Sequence, residues 1–376
     1  MKKLMALFIT TLLLTNVLIV TSCSEQKNIY IYNDLPIARE YEMTEVSLSS
    51  LGIKKETEFI ILDEKGKEVP HQILYSSKKV IFPVSIAAND SVIYTIKKGI
   101  PTEISTKTYG RQVRERKDDF AWENDRIAFR MYGPALAKEN PSNGVDVWLK
   151  RTENLIVNKF YKNELENGKS YHIDHGEGLD CYKVGNTLGA GGIAPYVDSV
   201  LWVGNHYNRF KIIEEGPLRV SFTLEYDTLT VRRQNLRQSI TISLDAGKQL
   251  NKAIVKYDGQ ISDMQLAAGI FLHDKIGVTK SSIEKGYIAY AEDAVSDAKV
   301  PSGRNYVGVF LPKGISAIKT QDKHLLAIAP HNMEREFVYY FGAGWSKWGF
   351  PTDKDWFAYM EKQALILQNP LRVVVK

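Results

Sequence analysis

Two adjacent stretches decide the fold class: residues 208–227, NRFKIIEEGPLRVSFTLEYD, and residues 229–245, LTVRRQNLRQSITISLD. Apolar and polar side chains alternate along both, and β-branched and aromatic residues are frequent. A period of two belongs to a strand with one buried face. The lengths predict hairpin arms of roughly ten or more residues, as in large curved sheets.

The pattern continues outward from there. On the C-terminal side NKAIVKYDG, AAGIFLHD, GYIAYAED, RNYVGVFLP and HLLAIAP read as further strands. Upstream, DRIAFRMYG and GVDVWLKR do the same. Residues 27–99 hold five shorter runs, NIYIYND, MTEVSL, EFIILDEKG, KKVIFPVS and SVIYTIKKG, separated by turn-forming residues at the rhythm of a β-sandwich. The polar GIPTEISTKTYG makes a linker. The chain therefore divides into a leader at 1–23, an N-terminal β-sandwich at 24–105 and a larger all-β domain at 106–376. One helix is predicted near the end. Thr352 and Asp355 are spaced as a capping box, and Trp356, Phe357, Met360 and Ala364 share a face of DWFAYMEKQALIL. LRVVVK follows as a strand.

Lys2 and Lys3 precede an apolar run, Leu4 to Val20, which ends in small residues and Cys23. The order is that of a secretory signal with a bacterial lipoprotein box, so Cys23 is the expected lipidation site. The soluble body would be tethered by lipid at the periplasm, outer membrane or cell surface. Net charge is +5, and losing Lys2 and Lys3 brings it to +3, too mild for a nucleic-acid partner. Only Cys181 then remains without lipid, which rules out an intrachain disulfide.

Residues 153–200 break the pattern, with many Gly, Asn and Tyr and little periodicity, as in a functional loop. At 171–182 the run YHIDHGEGLDCY concentrates His172, Asp174, His175, Glu177, Asp180 and Tyr182. Imidazole titrates near neutral pH and a carboxylate can orient it, so His172, His175, Glu177, Asp180 and Tyr182 are the candidate catalytic residues. Two other uses stay open: a metal, and hydrogen bonds to sugar hydroxyls. Zinc spacing is absent, whereas calcium would take oxygens, leaving Ca2+ as the one cofactor still open. The competing reading is a polar loop that caps its own amides.

Residues 185–195, GNTLGAGGIAP, fit a loose dinucleotide-loop spacing, but Pro195 falls where a helix should run. No nucleophile-elbow spacing occurs. Candidate substrate contacts lie elsewhere: Glu123, Asn124 and Arg126 at a strand end, Trp202, His206 and Arg209 in LWVGNHYNRF, Arg219 within a strand, and Trp345 and Trp348 between glycines. An indole can stack on a pyranose; plugging the end of a sandwich is the rival use.

WENDRIAFRMYGP, HGEGLDCYKVG and LGAGGIAPY, together with the lipoprotein start, NDLPIAREYEMTEVSL and VPHQ, resemble a family of uncharacterised secreted lipoproteins. Its members occur in polysaccharide-degrading bacteria, often encoded beside pectin- and other uronate-degrading enzymes. The resemblance covers the mature chain and implies a galactose-mutarotase-like supersandwich for the larger domain. A lyase or hydrolase acting on an acidic oligo- or polysaccharide is the leading expectation. A sugar mutarotase or epimerase, and a non-catalytic glycan-binding lipoprotein, are the alternatives.

Overall fold

A computed structural model describes residues 27–53, 58–138, 144–273 and 276–376. Cys23 and the rest of the leader lie outside the described residues. The fold is all-β, with a small N-terminal sandwich and a large supersandwich, and two α-helices occur among the described residues.

Lys27–Asn33 buries Ile29 and Ile31 and leaves Tyr30 and Tyr32 partly exposed, as alternation demands. It lies between Asp90–Lys98 and the strand Arg372–Val375. Phe59–Leu62 and Glu68–Val69 complete that sheet. Its partner sheet is Arg39–Ser47, Lys79–Ile86 and Gln72–Leu74. Ile29, Ile31, Ile61, Val80, Phe82 and Val84 fill the space between the two. The strand at 372–375 thus belongs to the N-terminal unit, not to the larger domain into which sequence order puts it.

In the supersandwich, eight strands form one broad antiparallel layer, running from Tyr207–Glu214 at one edge to Gly277–Ser282 at the other, and the short Leu229–Val231 is attached to it. Gln234–Asp245 is its longest strand at twelve residues, and Leu236, Ile240, Ile242 and Leu244 point inward along it. The stretch 208–227 is not one arm. Gly216 and Pro217 split it into Tyr207–Glu214 and Arg219–Tyr226, because proline cannot donate to the ladder. Opposite this layer lie two five-stranded sheets, one from Thr108–Val113 to Gly178–Asp180 and the other centred on Gln265–Phe271. A bridge from Val145 to Gly189 joins them. One core, including Trp122, Phe129, Phe222, Ile242 and Phe341, fills the space between the layers.

Helix α2, Asp353–Gln368, covers the outside of the broad layer and places Trp356 and Met360 against Tyr306 and Tyr287. Thr352 and Asp355 form the capping box that the sequence predicts. Helix α1, Val157–Asn167, falls inside the stretch read as loop. It covers the outer face of the first five-stranded sheet, where Ala121 and Ala128 leave room for Phe160 and Tyr161. Among the described residues no helix is long and apolar enough to cross a membrane.

Candidate functional site

The polar loop 171–177 leaves the end of α1 and runs into the strand Gly178–Asp180, at the edge of the sheet beneath that helix. Gly176 and Gly178 have φ of +108° and +142°, and a Cβ at Gly178 would strike the Leu149 carbonyl, 2.0 Å away. Asp174 accepts from the Gly176 amide and holds the loop's turn.

At the floor sits a buried cage of charge. The Arg130 guanidinium meets Asp146 at 2.6 Å and Asp180 at 2.7 Å, and Asp119 stands 3.9 Å away. Tyr132, Trp148 and Tyr171 present their rings to it. Burial pushes the Asp146 carboxyl up to about 7, with the Asp180 charge adding to the rise and Arg130 opposing it. Burial likewise lifts Asp180 to about 6, against the pull of Arg130.

His172 lies on the rim above this cage. Its Nδ1 is 3.0 Å from the Asp180 main-chain oxygen, and the Asp180 and Asp297 carboxylates lie at 3.6 and 4.0 Å. Asp297 pairs with Lys183 at 3.1 Å. The neighbouring wall is cationic and aromatic. Asp174 pairs with Arg151 at 2.9 Å and with Lys347 at 3.7 Å, and both cations lie over the Trp345 indole. Arg126 covers Trp348, which is partly exposed, and pairs with Glu153. The fold therefore brings the loop, Arg126 and the Trp345–Trp348 turn together.

Other singled-out residues have different tasks. Tyr182 is fully buried and donates to the Phe271 carbonyl at 3.2 Å, and burial drives its hydroxyl far above the ordinary range. Such a phenol cannot serve as a base near neutral pH. His175 contacts the Ser170 carbonyl through Nε2, and Glu177 is held by Lys159. Glu123 is buried, bonded to Lys150 at 2.8 Å and to the Ile156 and Val157 amides at 2.9 and 2.7 Å. It caps α1 and does not face solvent. Asn124 accepts from the Arg126 and Ile127 amides and donates to two carbonyls, which fixes a turn. Arg219 clamps the two units by binding Asp245 twice and Glu45 once. Trp345 is 1% exposed and donates to Ser302, so it is a floor for the cations and not a stacking platform. Trp202 donates to the Val197 carbonyl, and His206 is buried. Arg209 pairs with Glu225 on an edge strand and lines a different cleft.

Sequence reasoning missed Arg130, Asp146 and Asp119, which stand at outward positions of alternating strands where solvent is the default neighbour. His273, a histidine that the sequence leaves open as facing the cleft or sitting in a satisfied core, has its ring between Glu292 at 2.9 Å and the Lys183 carbonyl at 2.7 Å. As for calcium, no three His, Cys, Asp or Glu side chains among the described residues are grouped to hold a metal ion. Asp174, Glu177 and Asp180 are each engaged by a cationic side chain.

By overall shape, the chain is similar to part of a crystal structure of a protein in glycosyl hydrolase family 38 from Enterococcus faecalis, with a TM-score of 0.53 and 9% identity over 94% of this chain. It spans about half, 48%, of that protein's length, and the likeness concerns fold. In sequence it is 29% identical over 381 residues to "Uncharacterized protein P7" of Formosa agariphila, covering 94% of each. A family profile matches residues 31–373, nearly all of the two units just described, and the chain belongs to that family, described as "Domain of unknown function (DUF4861)".

Proposed function

We propose that the protein is a lipid-anchored carbohydrate-active enzyme that breaks an acidic glycan by elimination beside a uronate, with His172 as the base. The observation that carries this is the contact between His172 Nδ1 and the Asp180 main-chain oxygen. A carbonyl only accepts, so Nδ1 holds the ring's proton and the neutral ring keeps its lone pair on Nε2. The side chain is 31% exposed, so the ring is open to a substrate that approaches the rim.

Elimination beside a uronate removes the proton alpha to the carboxyl group, and a cation on that carboxylate stabilises the charge that develops. Arg151, Lys347 and Lys183 supply such cations. The Lys183–Asp297 pair lies at the surface, where ion pairs are weak and a substrate carboxylate can replace them, while Arg151 and Lys347 are partly exposed over the largely buried Asp174. The base takes the proton, the carbon–carbon double bond forms, and the bond to the departing sugar oxygen breaks. That oxygen leaves with a proton from the rim or from water. Hydrolysis by two carboxylates has less support, because Glu123, Glu177 and Asp180 are already engaged.

The test is incubation with pectic and other uronate-containing glycans, read by absorbance of the unsaturated product. His172→Gln should lower the rate by about a hundredfold or more while glycan affinity changes little. A variant that keeps the rate removes His172 as the base. Binding without product from any glycan, lost in Trp348→Ala, would make this a glycan-presenting protein. The anchor itself is read from the leader: Cys23→Ser should move the protein from the membrane fraction to the soluble one, and an unmoved variant would refute lipidation there.

A further inference from the structure

A cavity of about 290 Å³ lies where the small sandwich, the broad layer and the C-terminal half of α2 meet, and no residue of the 171–182 loop lines it. Apolar side chains that are not fully buried form much of its wall. They are Met43 on the strand Arg39–Ser47, Tyr340 on the broad layer, Tyr359 and Leu367 on α2, and Pro370 just beyond that helix. Three carboxylates also border it, and each is already held by a cation. Glu42 binds Arg39 at 3.0 Å, Glu45 binds Lys79 at 2.8 Å, and Asp245 is clasped by both arms of Arg219.

Lys248 has no such partner. It is half-buried in the cavity wall, and no carboxylate among the described residues lies within ion-pairing distance of its ammonium. Loss of water lowers its pKa, and Glu42 and Asp245 oppose that only from a distance. Taking an ammonium out of water without a counter-charge is costly. A lone cation beside an apolar wall therefore points to an occupant with an anionic end and an apolar body.

We propose that this cavity binds a small amphiphilic carboxylate, its acid group on Lys248 Nζ and its apolar body along Met43, Tyr340, Tyr359 and Leu367. A carboxylate supplies the charge-assisted hydrogen bond that Lys248 lacks, and the apolar body removes those side chains from water. The volume stands at the small end of ligand cavities, which favours a short chain or a single ring. Such a ligand touches both units and α2 at once, so its binding stabilises the seam between them. The site is independent of the chemistry at His172.

The full chain is titrated calorimetrically with octanoate, with 1-octanol as the uncharged analogue, and with galacturonate and sulfate as anions without an apolar tail. Octanoate should bind, and the other three should bind about tenfold or more weakly. His172→Gln should bind octanoate as wild type does, so a failed elimination assay leaves this result standing. Lys248→Met should weaken octanoate by about tenfold or more. Without ligand it should melt at or above the wild-type temperature, because an unpaired charge is gone; a lower melting temperature would show that the amine is already partnered and would overturn the proposal. If Lys248→Met does not fold, the Met43 methyl resonance of wild type reports instead, and it must shift as octanoate is added. No octanoate binding, binding indifferent to Lys248→Met, or sulfate binding as tightly as octanoate would equally overturn it.

Discussion

Asp146 and Asp180 share one guanidinium in the protein interior, and burial prevails over its attraction. A carboxyl raised above its unfolded value is protonated in the folded chain while the unfolded one is already ionised. The stability this contributes is complete below about pH 4 and is lost as pH rises through about 6 and 7. Resistance to urea should therefore fall from pH 4.5 to 7.5, by at most about 1.4 kcal/mol per pH unit for each proton released. Asp146→Asn should flatten that slope, and a variant with the wild-type slope would show that the proton sits elsewhere. Asp297, His172 and Arg116 face the same cage. The identities of the residues in 171–182 mark this region in the sequence. The cage does not show there, because Arg130, Asp146 and Asp180 converge only once three strands pair.

The same contrast holds for whole elements. Helix α2 announces itself through Thr352 and Asp355, residues of its own first turn. Helix α1 has no such cap: Ile156 offers no side-chain bond, and the exposed amides are taken by Glu123, more than thirty residues upstream. A helix capped from a distant strand leaves no local signature, and its face carries only Val157, Phe160 and Tyr161 as buried anchors. Glu123→Ala would strand the buried Lys150 ammonium along with those amides. A loss of about 3–5 kcal/mol is expected. Hydrogen exchange should quicken first at the amides of 156–160, and unchanged exchange there would show that the cap is dispensable. The strands themselves are legible because alternation is local, and Gly216 with Pro217 is the local signal of the split between Tyr207–Glu214 and Arg219–Tyr226.

At the scale of the whole molecule, the last strand pairs far from its sequence neighbours, since pairing partners are set by the sheet and not by proximity along the chain. Arg372–Val375 packs Val373 and Val375 onto the small sandwich, and Asn28 and Lys376 exchange main-chain hydrogen bonds of 2.9 and 3.0 Å. A chain stopped at Asn369 should lose this edge. Limited proteolysis should then cut within residues 27–100 faster, by about tenfold, while the supersandwich stays resistant. Equal cutting of both chains would make the strand ornamental. The strand's position also sets an order in time. The small sandwich begins to emerge first during synthesis, yet it cannot be sealed until residue 375 has arrived. A chain broken off before that strand still shows an open seam to any protease it meets.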